Sequence, residues 1–238
     1  ITGAMNERTK ILIVMGKSDP DNANRHLQQS QVLVPKETPG LTLVRPLSTF
    51  GYDDAPIGHA ELIFENCRVP AENVLLGEGR GFEIAQGRLG PGRMHHCMRL
   101  IGTAQRSLEL ACQRATSRVT FGRPLSKHQS VREDISRMFS EIEMARLLVL
   151  KTCHKIDQQG VPASIDMIAA TKTTIPLLVQ NVIDRAMQMH GAGGLTEDYC
   201  MAEGYNYARW CRQADGPDQV HQMALGKQII ERYSNSKV

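Results

Sequence analysis

"SVREDISRMFSEIEMARLLVLKTC", residues 130–153, decides the fold class. Its apolar positions Val131, Ile135, Met138, Ile142, Ala145 and Val149 recur at alternating steps of four and three. That spacing lays one apolar stripe along a 3.6-residue helix, so a long amphipathic helix is expected over 125–158. Downstream, Ile168, Ile175, Leu178, Val182, Ala186 and Met189 repeat the pattern and predict a second helix over about 163–190, kinked at Pro176. Upstream, "RMHHCMRLIGTAQRSLELACQRAT" (93–116) predicts a further helix ending near residue 117. A last helix is expected from Pro217 to Tyr233, with "YCMAEGYNYARWC" (199–211) as shorter helical turns between.

The first 80 residues have a different texture. Short β-type runs, "KILIVMG" (10–16), "SQVLVPK" (30–36), "LTLVRPL" (41–47) and "AELIFENCRV" (60–69), are separated by turn clusters. The second and third runs, joined by Thr38-Pro39-Gly40, are expected to form a hairpin. The whole reads as an α+β chain: part of an antiparallel β-domain over 1–80, then an up-down four-helix bundle over 81–238.

Composition removes several functional classes. Apolar residues make up 41% and charged residues 22%, the balance of a globular protein. A net charge of +3 without like-charged runs, and aromatics at 5%, give no footprint for nucleic acid. The six cysteines (67, 97, 112, 153, 200, 211) form no C-x-x-C pair and read as reduced thiols, pointing to an intracellular protein. No apolar run approaches the ~20 residues of a membrane span. The chain opens on "ITGAMNERTK" without an initiating Met and reads as a fragment. Its last residues, "SNSKV" (234–238), are not the S-K-L peroxisomal form.

Candidate chemistry is sparse. "GEGRGF" (77–82), "GPGR" (90–93) and "HGAGGL" (190–195) fit neither dinucleotide nor P-loop spacing, and "HGAGG" follows a helix where a Rossmann fold needs a strand. It reads as a helix stop with Gly in the left-handed region. His95 and His96 are adjacent, point to different helix faces, and read as packing or surface residues rather than metal ligands. In "SRVTFGRPLSKHQSV" (117–131), Arg118 offers a fork suited to phosphate and Gln129 an amide suited to a base edge. A solvated helix connection explains that segment equally well. Asp215, in "ADGPDQV" (214–220), precedes a helix start, where an acid is ordinarily a cap.

Taken in order, these pieces resemble the acyl-CoA dehydrogenase flavoprotein family. The resemblance is carried by "IT" (1–2), "TPG" (38–40), "FENCRVPAENVLLGEGRGF" (64–82), "RVTFGRPLSKHQ" (118–129), "QMHGAGG" (188–194) and "DGPDQ" (215–219). "GRGFEIAQGRLGPGRMHHCMR" and "ADGPDQVH" are most similar to the subgroup of family members ten and eleven. It implies an N-terminal helical domain that this chain lacks, FAD as cofactor, acyl-CoA as substrate and electron-transfer flavoprotein as acceptor. It further implies a homodimer or tetramer sharing the FAD site, and a mitochondrial location if the source is eukaryotic, otherwise cytoplasmic.

Residue by residue, the resemblance places Thr2 near the flavin ring. It gives Arg118, Thr120, Phe121 and Gln129 to the segment that one subunit lends its neighbour's FAD. Gln188, Gly191 and Ala192 fall on a second FAD-contacting stretch, and Gln219 on a cofactor-contacting glutamine. Arg93 and Gly216 fall beside the substrate. Asp215 lands on the catalytic base. The departures are specific: no Trp precedes Ile1-Thr2, Ala192 stands where many relatives have Gly, and "DGPDQ" replaces the familiar "EGTSQ". Some relatives carry the base at the position of Gly92, which has no carboxylate. A dehydrogenase, a flavin oxidase of the same fold (acyl-CoA or nitroalkane type) and a non-catalytic assembly module all remain open at this point.

Overall fold

The computed structural model describes residues 1–234; most of "SNSKV" lies outside the described residues. The chain divides into two compact units, Ile1–Arg88 and Leu89–Val238.

The first unit is built from two antiparallel ladders. Strands β1 (Ile11–Lys17) and β2 (Gln29–Pro35) pair from Ile11↔Pro35 to Lys17↔Gln29. Strands β3 (Leu41–Leu47) and β4 (His59–Phe64) pair from Leu41↔Phe64 to Leu47↔His59, with a register shift between Leu43 and Arg45. The expected β2–β3 hairpin is therefore absent. A strand has two edges, and both of β2's are taken: β1 holds one, while Val32 bridges Val74 and Leu75 N–H donates to Gln31 O on the other. Thr38-Pro39-Gly40 makes a corner instead. Thr38 Oγ1 donates to Pro35 O at 2.7 Å, and Gly40 O accepts from Glu65 N–H at 2.9 Å, which hands the chain from the first ladder to the second. Ala4, Leu12 and Ala60 form the small core of this unit.

Helix α1 (Gly81–Ser117) begins twelve residues before the predicted start, and its first residues, through Arg88, group with the first unit. Gly87, Gly90, Pro91 and Gly92 all lie inside the helix. Gly90 is small for a packing reason, since a methyl there would stand 2.6 Å from Val161 Cγ1. The chain then forms a two-residue hairpin, β5 (Val119–Thr120) with β6 (Arg123–Pro124), and a 3-10 turn at Leu125–Lys127. His128 is extended, so α2 starts at Gln129 and runs to Gln159, a few residues later than expected.

Helix α3 (Ile165–His190) follows, then α4 (Met201–Cys211), a continuous helix where only short turns were expected, and α5 (Asp218–Ser234). The periodic residues do what their spacing requires: Met138, Ile142, Ala145 and Val149 are buried against Ile175, Val179, Val182 and Ile183 of α3, Leu100 and Ile101 of α1, and Met201 of α4. Each large side chain so buried contributes about 1.5–3 kcal/mol. Thr152 meets Thr171 at 2.7 Å and Glu141 meets Arg185 at 2.6 Å, so α2 and α3 run antiparallel. Helix α5 packs on α3 but adds no apolar residue to this core; its buried residue is Asp218. The fold is α+β, mostly helical.

Candidate functional site

Asp215 and Gly216 form the corner between α4 and α5. Asp215 adopts φ +56° and Gly216 φ +105°. Aspartate tolerates the left-handed region better than most side chains, whereas the Gly216 conformation strains any residue with a Cβ. A methyl on Gly216 would also stand 2.8 Å from His221 Nε2.

Five side chains hold this corner. Arg93 Nε donates to Asp215 O at 3.1 Å, and His221 Nε2 approaches the same carbonyl at 3.1 Å. A carbonyl only accepts, so His221 carries its proton on Nε2. Lys172 is buried and its Nζ donates to Gly216 O at 2.6 Å, with Asp218 Oδ1 3.9 Å away. Arg212 Nε donates to Asp218 Oδ2 at 2.8 Å, and Asp218 N–H closes on Arg212 O. Burial lowers the Lys172 ammonium from its ordinary value, and Asp218 pulls it back up. Burial likewise lowers Arg93, against Asp215, and lowers His221, against its bond to the Asp215 carbonyl.

The carboxylate itself faces α1, and only 17% of its surface is exposed. Oδ2 lies 3.5 Å from His96 Nε2. A Cβ added to Gly92, one turn earlier, would stand 3.8 Å from Oδ2, so that glycine leaves open the space beside the acid. Behind it, Arg93, His96, Cys97, Lys172, Pro176, Cys211 and Ala214 line a cavity of about 10 Å³, at the lower limit for one water. Burial pushes the Cys97 thiol up to about 12, with Cys211 adding to the rise, and burial pushes Cys211 up to about 11 against a hydrogen bond from Tyr207; both thiols stay protonated at neutral pH. All six cysteines are unpaired.

The remaining predicted residues fall into separate groups. Arg118, Thr120 and Phe121 sit on the β5–β6 hairpin, with Phe121 at its tip, φ +51° and 97% exposed. Gln129 opens α2 and donates to Glu133 at 2.8 Å. Gln188 and Gly191-Ala192 mark the end of α3, where Gly191 has φ +63° and its N–H donates to Gln188 O. Because α2 and α3 are antiparallel, Gln129 and this strip share one end of the pair. Asp215 does not join them. It is tied near Lys172, 18 residues before His190, about 27 Å away along α3 at 1.5 Å per residue. Gln219 is exposed in the first turn of α5. Thr2 belongs to the first unit, where its Oγ1 meets His59 Nδ1 at 3.1 Å.

Sequence reasoning read His96 as packing or surface, and passed over Lys172, Arg212, Asp218 and His221. The available signal for His96 was its spacing. It lies four and three residues after Gly92 and Arg93, on the face that meets Asp215.

A half-buried carboxylate on a clamped, left-handed corner between two helices, in a chain that also carries antiparallel β ladders, describes a class of architecture shared with known proteins. Residues 79–230 match the acyl-CoA dehydrogenase C-terminal domain. Acyl-CoA dehydrogenase family member 10 of Mus musculus is 51% identical over 98% of this chain and 22% of its own length. A structure from Mycobacterium abscessus assigned to the acyl-CoA dehydrogenases superposes with a TM-score of 0.94 at 44% identity, over 98% of this chain and 57% of that one. Butyryl-CoA dehydrogenase of Megasphaera elsdenii gives 0.81 at 30% identity, over 93% and 56%.

The chain belongs to the acyl-CoA dehydrogenase family. It spans about a quarter of the length of the eukaryotic relatives and little more than half of the bacterial ones. Among the described residues no helix is long and apolar enough to cross a membrane.

Proposed function

We propose that the protein of which this chain is part is an FAD-dependent acyl-CoA dehydrogenase, with Asp215 as the base that removes the α-proton of the acyl thioester. The observation that carries this reading is the Asp215 corner. Its carbonyl is held by Arg93 and His221 and the next carbonyl by Lys172, while the carboxylate is only 17% exposed, with room left beside it at Gly92. A carboxylate fixed in this way, with water largely excluded once substrate covers it, is suited to proton abstraction next to a thioester. Aspartate reaches about one carbon–carbon bond less far than glutamate, so the substrate must approach this corner more closely.

The donor set fits FAD: an exposed guanidinium at Arg118 for the pyrophosphate, amides at Gln129, Gln188 and Gln219, and an exposed aromatic at Phe121. When bound, FAD supplies the hydride acceptor for the β-carbon. Asp215 takes the α-proton, Arg93 and Gly216 border the thioester, and the product is a trans-2-enoyl-CoA. Thr2 and Ala192 complete the cofactor contacts in this reading. The distance along α3 between Asp215 and the Gln188–Ala192 strip supports a cofactor site shared between copies, as a homodimer or tetramer. Exposed apolar residues on α2 (Phe139, Met144, Leu147, Leu150) and α5 (Val220, Met223, Ile230) support the same assembly. Electron-transfer flavoprotein is the proposed acceptor.

The test is anaerobic mixing of the full-length, FAD-loaded protein with a panel of acyl-CoA esters, followed by flavin absorbance. Bleaching by at least one chain length is expected. No bleaching with any of them overturns the dehydrogenase reading, and rapid reoxidation by air indicates an oxidase instead.

A further inference from the structure

The surroundings of His96 assign it a role that neither its sequence context nor the reading of Asp215 requires. Its Nδ1 lies 2.9 Å from Arg99 NH2, and an arginine can only donate. The Nδ1 lone pair is therefore occupied and the ring proton resides on Nε2. Tyr207 Oη lies 2.8 Å from the same Nδ1 and, with that nitrogen an acceptor, donates to it as well; Cys211 Sγ is 3.9 Å away on α4, and the Arg99 guanidinium lies 5.5 Å over the Tyr207 ring. Trp210 closes the remaining side at a ring-centroid distance of 5.9 Å. The protonated Nε2 then faces Asp215 Oδ2 at 3.5 Å, the outer edge of hydrogen-bond range.

We propose that His96 is a positioning residue for Asp215: a neutral imidazole, fixed as the Nε2–H tautomer by Arg99, that donates to Oδ2 and directs the other carboxylate oxygen at the substrate. The proposal rests on Asp215 being the base. His96 is not a second base, because its Nε2 already carries a proton and its Nδ1 lone pair faces Arg99. The arrangement addresses the difficulty posed by the short acid. An aspartate has fewer torsions with which to aim, and a donor on one oxygen fixes the orientation of both.

The test uses the full-length, FAD-loaded protein and three variants. Glutamine places its amide N–H where Nε2 stands, asparagine stops near Nδ1, and phenylalanine keeps the ring without a donor. His96→Gln is expected to bleach within about tenfold of the parent. His96→Asn and His96→Phe are expected to fall about 100-fold, the effect of an ~1 Å misplacement. Acyl-CoA binding, measured by calorimetry, should stay within about threefold for all of them. A Phe variant as fast as the parent, or a Gln variant as slow as Phe, overturns the proposal. Solid-state 15N spectra of histidine-labelled full-length protein give a readout independent of turnover. The signal lost in His96→Gln should be that of a neutral ring protonated on Nε2, and a ring protonated on Nδ1 or on both nitrogens overturns it. An Asp215→Asn variant run alongside separates the two ideas, since its activity reports on the base alone.

Discussion

The buried ammonium of Lys172 donates to the carbonyl of Gly216 at 2.6 Å, joining the middle of the bundle to the corner that carries Asp215. Helix α5 buries no apolar residue, so polar ties of this kind hold its start. Replacing Lys172 by Met leaves the Gly216 carbonyl without its buried donor and takes the Asp218 carboxylate's second cation away. A loss of about 3–5 kcal/mol is expected, read as a lower denaturant midpoint with an unchanged slope. A midpoint within error of the parent would contradict the role given to Lys172.

Gly216→Ala tests the corner by another route. At φ +105° a Cβ is strained, and here it also meets the His221 ring. The variant should lose about 1–3 kcal/mol in a thermal or chemical melt and bleach more slowly, since the strain falls on the peptide next to Asp215.

Acid stability should report on the other end of α5. Burial alone would raise the Asp166 carboxyl, but hydrogen bonds from Lys155, Arg232 and the Met167 N–H outweigh it and hold it at about 2, against 3.8 when unfolded. A depressed carboxylate contributes stability that is whole above pH ~4 and is lost as pH falls toward 2. Unfolding midpoints measured between pH 5 and 2 should therefore fall less steeply in Asp166→Asn, which starts from a lower value. Parallel curves would contradict this.

The helices were legible because burial and period coincide: Met138, Ile142, Ala145 and Val149 are all in the core. Strand positions were legible too, but their pairing was not. Which edge of β2 is free depends on Val74 and Leu75, some forty residues further along the chain. The start of α1 was hidden because the helix was read only from Arg93 on, while the fit of Gly90 inside it depends on Val161, some seventy residues away. The place of Asp215 ahead of the last helix was legible through its motif. The surroundings of His96 were not, since Tyr207, Cys211 and Asp215 arrive beside it from more than a hundred residues away.

Gly92 offers a check on where the base must stand. A side chain there enters the space beside Asp215 Oδ2. The double variant Gly92→Glu with Asp215→Gly should therefore recover measurable flavin bleaching over Asp215→Gly alone, in the same anaerobic assay. No recovery, with folding and FAD binding intact, would mean that this space is not the one the substrate's α-carbon faces.

The most direct measurement is Asp215→Asn in the full-length, FAD-loaded protein, mixed anaerobically with the acyl-CoA that bleaches the parent fastest. The amide keeps the shape of the side chain and removes the base. The account predicts a yellow protein that binds the thioester, shown by calorimetry, and does not bleach. An Asn variant that bleaches at the parent's rate would contradict the assignment of Asp215.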